Sequence, residues 1–148
     1  MTRAAHCFAS LALCAVLAGC GGGGDGPPDP KILAQLIGSW EGEGPEQAGV
    51  RAKVRVEFRA DGTVKQVLES ASGSTETTLK YLFNTAHVPY RLDFIGKRHT
   101  LEQVLLIGIA EFPDPDTLRL RSVPMGVPRA ETFDEKKTAV LKRVKTAE

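Results

Sequence analysis

The side chains that could support catalysis or metal binding are few and widely spaced along the chain. His87 and His99 have no second histidine or cysteine nearby, whereas a zinc site usually needs three or four protein ligands. A Ser-His-Asp set can be drawn from Ser39, His87 and Asp93, but no Gly-x-Ser-x-Gly sequence surrounds any serine. We therefore expect no enzyme activity, no bound metal and no cofactor, and we keep a hydrolase only as a third hypothesis.

One thiol, that of Cys20, lies in a setting that favours a defined reaction. Cys20 follows Leu17-Ala18-Gly19, which in turn follows Arg3 and an apolar stretch over residues 4–16. That stretch is shorter than the roughly 20 apolar residues that span a bilayer, and with the basic start it is typical of a secretory signal peptide. An apolar residue, two small residues and a cysteine match the bacterial lipobox. The pattern predicts cleavage before Cys20 and attachment of lipid to its sulfur; an ordinary cleaved signal is the alternative.

The sequence around this point predicts three parts: a signal peptide over residues 1–19, a tether over 20–28 and a domain over 29–148. Cys7 and Cys14 lie in the predicted signal, so Cys20 is the only cysteine left after cleavage. Glycine and proline dominate residues 21–28, as in flexible linkers. The residue after Cys20 is Gly21, not the aspartate that commonly retains lipoproteins at the inner membrane. We expect a lipid-anchored protein of the cell envelope, at the outer membrane and facing the periplasm if the cell has two membranes.

The charge balance excludes one class of partner. Of the 19 Lys and Arg residues, Arg3 lies in the predicted signal, which leaves 18 against the 18 Asp and Glu residues. A nucleic-acid-binding domain usually carries a basic stripe and a positive net charge, so we expect no nucleic-acid partner. The protein partner stays open, and the predicted membrane contact runs through the lipid on Cys20.

The domain begins with one short helix and continues as strands. Asp29 can cap a helix that Gly38 ends, and a strict alternation of apolar and charged residues then runs over residues 50–60. Asp61-Gly62 predicts a hairpin turn. Eight or nine short strands follow one another, depending on whether residues 128–133 form a strand. We predict an all-β, antiparallel up-and-down barrel of about eight strands with a short N-terminal helix, with a sandwich as the structural alternative.

The segment Gly38-Ser39-Trp40, which follows the helix, resembles the start of lipocalin and lipocalin-like domains. In that superfamily the tryptophan plugs one end of the barrel, and an arginine from the last strand lies over its ring. The resemblance implies that Arg143, in Leu141-Lys142-Arg143, packs on Trp40 and that both residues are structural.

A closer resemblance covers most of residues 33–144 and is to a family of uncharacterised exported bacterial domains with a lipocalin-like pattern. It rests on the order of short motifs: Leu36-Ile37-Gly38-Ser39-Trp40, Asp61-Gly62, Pro89 with Leu92-Asp93, Gly108-Ile109, Asp116-Thr117-Leu118-Arg119-Leu120, Pro128-Arg129 with Phe133, and the final Leu141-Lys142-Arg143. No activity is established for the family, so the resemblance implies the fold alone.

Two sets of residues suggest what the domain binds. Tyr81, Phe83, Tyr90 and Phe94 occupy alternating strand positions and are expected to face one interior, either as an aromatic cup for a small apolar ligand or as a filled core. A basic stripe on one strand, formed by Arg51, Lys53, Arg55 and Arg59, is either a contact for an anionic envelope polymer or lipid, or a solvated face balanced by neighbouring acids.

These observations lead to one main hypothesis for function and one alternative. The first is a membrane-anchored lipoprotein whose lipocalin-like barrel binds a small apolar ligand or a lipid. The alternative is an envelope interaction or structural module with a filled barrel and no small-molecule ligand.

Overall fold

The computed structural model describes residues 26–145, which form one helix followed by eight antiparallel strands. The predicted signal peptide, Cys20 and most of the tether lie outside the described residues. The helix is α1 (Pro30–Leu36); the strands are β1 (Gly38–Gln47), β2 (Val50–Phe58), β3 (Thr63–Ser70), β4 (Gly73–Asn84), β5 (Tyr90–Arg98), β6 (Leu101–Asp114), β7 (Thr117–Pro124) and β8 (Ala139–Arg143). Each strand pairs with the next, and β8 pairs with β1 to close a barrel. The predicted up-and-down barrel is confirmed, and the sandwich alternative is wrong.

The β2–β3 hairpin shows how the alternating pattern builds the wall. Val54, Val56 and Phe58 are buried on the inner face of β2, and the charged residues between them lie on the outer face. The turn that follows is stabilised by the Asp61 carboxylate, which accepts hydrogen bonds from the backbone N–H (2.9 Å) and the hydroxyl (2.6 Å) of Thr63. These bonds stabilise the charged form and hold the pKa of Asp61 below its ordinary value. Gly62 adopts a φ of +82°, a conformation that suits glycine in a tight turn.

Helix α1 lies across one end of the barrel. Its first turn is capped by Asp29, whose side chain accepts a hydrogen bond from the Lys31 N–H at 2.8 Å. Leu36 is fully buried, and Ile32 and Leu33 pack against the core, as the spacing of these apolar residues predicts. The backbone N–H of Asp29 also donates to the hydroxyl of Thr85 at 2.7 Å, which ties the start of the helix to the loop between β4 and β5.

Because the strands run alternately up and down, successive connections lie at alternate ends of the barrel. We call the end that carries α1 the closed end; it also holds the β2–β3, β4–β5 and β6–β7 connections. We call the other end the open end; it holds the β1–β2, β3–β4 and β5–β6 turns and the long connection from β7 to β8. The residues that precede α1 therefore enter the barrel at the closed end.

The connection from β7 to β8, residues 125–138, packs on the outside of the barrel, and we call it the strap. The guanidinium of Arg129 pairs with both carboxylate oxygens of Asp93 on β5 and donates to the Gly108 carbonyl at 2.7 Å. Ile109 points outward from β6 yet is only 2% exposed. Residues 128–133 form no strand, so the segment that the sequence left open is a crossing segment.

Candidate ligand-binding cavity

The closed end is sealed by Trp40, which is fully buried at the start of β1. Its indole N–H donates to the Leu36 carbonyl of α1 at 2.9 Å, and its ring lies 6.0 Å from that of Phe112. The guanidinium carbon of Arg143 lies 4.2 Å from the centre of the Trp40 ring, so the expected contact between these two residues is present. A cation at this distance over a tryptophan face is an attractive contact.

Arg143 also joins the last strand to the helix. Its guanidinium donates to the carbonyl oxygens of Gln35 (2.6 Å) and Ile37 (3.2 Å), at the C-terminal end of α1. It donates further to the Pro115 carbonyl at 3.2 Å and lies 3.5 Å from the Asp116 carboxylate. The last carbonyls of a helix have no partners within the helix, so this one side chain satisfies acceptors that α1 leaves open.

Aromatic side chains fill the half of the interior next to the closed end. Tyr81 packs edge-on against Phe58 with ring centres 5.3 Å apart, and Phe83 packs edge-on against Tyr90 at 5.7 Å. Burial raises the pKa of Tyr81, whose hydroxyl donates to the Arg59 carbonyl at 2.8 Å. This half of the barrel is a packed core.

The half next to the open end encloses a cavity of about 910 Å³. Its inner wall is built by aliphatic side chains and Phe94, and by small or polar residues in the places where the closed half carries aromatic rings. The residues with apolar side chains in the lining are Pro45, Val50, Ala52, Val54, Val56, Val64, Leu68, Ala71, Phe94, Leu106, Leu120, Ala139 and Leu141; neutral polar side chains come from Gln47, Gln66, Ser70, Ser72, Thr75 and Ser122.

The four aromatic residues expected to form a ligand cup therefore separate into two groups. Phe94 lines the cavity, whereas Tyr81, Phe83 and Tyr90 lie outside its lining and contribute to the packed core. The register explains the division: Phe94 pairs with Tyr81 across β4 and β5 and with Leu106 across β5 and β6, at the level where the packed half gives way to the cavity. The apolar part of the cup is thus aliphatic apart from Phe94.

The four basic residues of the stripe on β2 also separate into two groups. Arg55 lies 3.5 Å from Glu41, and Arg59 forms a two-bond contact with Glu57, so these outer-wall cations are balanced by acids. Arg51 and Lys53, nearer the open end, border the mouth of the cavity, but their side chains alternate with the inward-facing Val54 and so belong to the outer face of β2.

Comparison with known proteins adds no family to this geometry. No protein-family model, curated protein or solved structure matches the chain. The shape and chemistry of the barrel interior thus carry the functional argument.

The candidate catalytic residues lie far apart in the fold. His87 lies in the β4–β5 loop at the closed end, and His99 lies in the β5–β6 turn at the open end. Ser39 lies on β1 and Asp93 on β5, on opposite walls of the eight-stranded barrel. The Asp93 carboxylate also already accepts hydrogen bonds from Arg129. The Ser-His-Asp set that can be drawn from the sequence is not assembled.

Two features are absent from the described part of the chain. Within residues 26–145, no three histidine, cysteine, aspartate or glutamate side chains lie close enough together to hold a metal ion. No helix in this part of the chain has the length and apolar character needed to cross a membrane.

Proposed function

We propose that this protein is a membrane-tethered carrier that binds a small apolar molecule or a lipid inside its barrel. The observation that carries the proposal is the 910 Å³ cavity between the packed core and the open end, whose wall combines aliphatic side chains with polar ones. Binding pockets for small molecules commonly enclose about 300–1,000 Å³ and combine an apolar wall with a few polar groups. Burial of an apolar ligand here is favoured by about 25 cal/mol for each Å² removed from water.

The main alternative, a filled barrel that works through its outer surface, has less support. Its packed interior is limited to the closed half. The exposed large apolar residues are spread over the barrel: Val50, Leu68, Leu101, Met125 and Val127 lie towards the open end, Val88 and Val144 at the closed end, and Leu82 and Val140 on the wall. A docking surface for a protein partner is usually one contiguous apolar patch.

A bulky side chain placed inside the cavity should abolish ligand binding. Gln66 faces inward from β3 within the lining, so Gln66→Trp fills space that a ligand would use. The matched control is Val67→Trp, because Val67 is the next residue on the same strand and faces outward. Binding is measured with the neutral fluorescent probe N-phenyl-1-naphthylamine on the full chain carrying Cys20→Ala, which cannot be acylated.

We expect Gln66→Trp to weaken probe binding by about tenfold or more, corresponding to at least about 1.4 kcal/mol. Val67→Trp should leave binding unchanged, and both variants should unfold in urea close to the parent chain. Equal probe binding by the two tryptophan variants would show that the probe does not occupy the cavity, and failure of the parent chain to bind would refute the carrier proposal.

The second part of the proposal, the lipid anchor, rests on the sequence Leu17-Ala18-Gly19-Cys20 and has its own test. Two or more acyl chains give stable membrane attachment, and each buried methylene contributes about 0.8 kcal/mol. Replacement of Cys20 by alanine should therefore move the protein from the membrane fraction to the soluble fraction of its own cells. Cys14→Ala is the matched control, since this cysteine lies within the predicted signal. Unchanged membrane retention of the Cys20→Ala protein would rule out anchoring through this residue.

A further inference from the structure

We infer that the ligand is an uncharged amphipath, a hydrocarbon chain with a hydroxyl, ester or amide head, and that this head lies against the part of the wall formed by β3 and β4. The inference rests on the carrier proposal and names the chemical class of its ligand. It is drawn from the distribution of polar and apolar side chains around the cavity and from the pairing of β4.

Of the four ionisable residues around the cavity, three have side chains on the outer face of the barrel. Arg51 and Lys53 alternate with the buried, inward-facing Val54, and Glu69 lies directly opposite Lys53 in the β2–β3 ladder. The fourth, Lys137, lies in the turn before β8 at the open end. A charged head placed deeper in the barrel would lose its hydration without an ion pair in exchange, which is costly.

The part of the wall formed by β2 and β8 is apolar. Its lining residues with inward-facing side chains are Val50, Ala52, Val54 and Val56 on β2, and Ala139 and Leu141 on β8. These side chains offer a surface on which hydrocarbon is removed from water, and they offer no hydrogen bond. This part of the wall therefore suits the chain of the ligand.

The part formed by β3 and β4 carries neutral polar groups. Gln66 lies directly opposite the inward-facing Val56 on β2 and opposite Thr77 on β4, so the Gln66 amide and the Thr77 hydroxyl face the interior side by side. Thr75 follows on the same face of β4, nearer the open end, and lines the cavity together with Gln66. Within residues 26–145, these three side chains form no hydrogen bond. An amide and two hydroxyls both donate and accept, which matches an uncharged polar head.

The backbone of β4 adds hydrogen-bonding groups beside these side chains. β4 pairs with β5 only from Lys80 to Asn84, whereas residues 73–79 pair with β3 alone. Across this gap, residues 96–98 of β5 pair with β6. An unpaired strand edge presents peptide N–H and C=O groups that are available to other partners. Thr75 and Thr77 lie on this edge, so hydroxyl and peptide groups lie next to each other there.

The packed core limits how deep the head of the ligand can lie. Val64, the next inward residue after Gln66 towards the closed end, is 1% exposed and belongs to the core. The head thus lies at Gln66 or nearer the open end, with the chain against the aliphatic side chains of β2 and β8. A ligand without polar groups would displace water from the Gln66 amide and leave it without a partner, which lowers affinity.

The experiment compares three probes with the same chain and different heads: decanol, 1-chlorodecane and decanoate. Each is used to displace N-phenyl-1-naphthylamine from the full chain carrying Cys20→Ala at neutral pH. We expect decanol to bind about tenfold more tightly than decanoate, because a carboxylate loses more on leaving water. Tighter binding of decanoate than of decanol would overturn the uncharged head.

Two substitutions that preserve shape locate the head. Gln66→Leu removes the amide and Thr77→Val removes the hydroxyl, and each should weaken decanol binding about three- to tenfold, the usual effect of one hydrogen bond. Binding of 1-chlorodecane, whose head forms no comparable hydrogen bond, should not weaken in either variant. The matched control is Thr78→Val, because Thr78 is the next residue on β4 and pairs with Lys65 on the outer face. This control should leave the binding of both probes unchanged.

The outcomes separate this inference from the carrier proposal. Equal changes in the affinities for decanol and 1-chlorodecane, or equal effects of Thr77→Val and Thr78→Val, would overturn the proposed head position and leave the carrier proposal standing. Displacement by none of the probes, with no binding of the fluorescent probe, would refute both. Native mass spectrometry of the protein from its own cells should show a bound uncharged amphipath; an anionic lipid at full occupancy would contradict the inference.

Discussion

Replacement of Trp40 by alanine is expected to lower the free energy of unfolding by about 3–5 kcal/mol, the usual cost of removing a fully buried tryptophan. Trp40 has no exposed surface, and three groups depend on it: the carbonyl of Leu36, the ring of Phe112 and the guanidinium of Arg143. The variant leaves a void between α1 and the barrel, and it leaves a buried acceptor without its donor. Loss of one buried hydrogen-bond partner adds to the cost of the void.

The measurement is urea unfolding followed by circular dichroism, since the chain has one tryptophan and the variant has none. Trp40→Phe is the matched comparison: it keeps an aromatic ring in the plug and removes the indole N–H, and it should cost clearly less than Trp40→Ala. If Trp40→Ala unfolds at the same urea concentration as the parent chain, the plug does not stabilise the barrel and the closed end is not a structural seal.

Replacement of Gly42 by alanine is expected to destabilise the barrel by an amount at or above the upper end of the roughly 1–3 kcal/mol typical of overpacking. Gly42 lies on β1 between Val54 of β2 and Leu141 of β8, where the two ends of the sheet meet. A Cβ at this position would lie 2.1 Å from the Val140 carbonyl oxygen and 3.1 Å from the Leu141 Cα. Both atoms belong to the backbone, so the strand itself must move away and the β1–β8 ladder must open.

Gly44→Ala provides the control two residues further along the same strand. There the nearest atom to an added Cβ is a methyl group of Val54 at 2.9 Å, which can move by a change of side-chain rotamer. Urea unfolding followed by Trp40 fluorescence should show a large shift for Gly42→Ala and a small one for Gly44→Ala, and hydrogen exchange should speed up in β8 for the first alone. Similar shifts for both variants would contradict the close approach between Gly42 and the backbone of β8.

The sequence predicted the features that depend on local patterns. Val54, Val56 and Phe58 face inward because strand side chains alternate, and Asp61-Gly62 forms the turn because glycine accepts a positive φ and aspartate can accept hydrogen bonds from the next turn residues. These signals require no knowledge of which strands are neighbours.

Features that depend on contacts between distant segments could not be predicted in the same way. Residues 70–74 have the composition of a polar loop, yet β3 continues to Ser70 and β4 begins at Gly73. The strand character of this hairpin comes from the pairing of Glu69 with Ser74 and of Leu68 with Thr75. The strap has no periodic pattern at all, and it is held by the distant pair Arg129 and Asp93.

The cavity itself was only partly predictable. Alternation indicates that Gln66, Thr75 and Ser122 face inward, but their height in the barrel follows from the register of each strand against its neighbours. The register places short and polar side chains at one position along the barrel axis and aromatic rings at another. For this reason the expected aromatic cup contributes Phe94 alone to the cavity lining.

The attachment of the N-terminal segment at the closed end limits how the proposed lipid-anchored barrel could be oriented at a membrane. Asp29 is fixed to Thr85 beneath the plug, and the nine residues from Cys20 to there extend at most about 30 Å. The 14 residues of β6, at about 3.4 Å each and tilted by about 40°, give a barrel height of roughly 35 Å. In the proposed lipid-anchored form, this tether would be shorter than the barrel is tall, so the barrel could not turn over completely to press its open end against the anchoring leaflet.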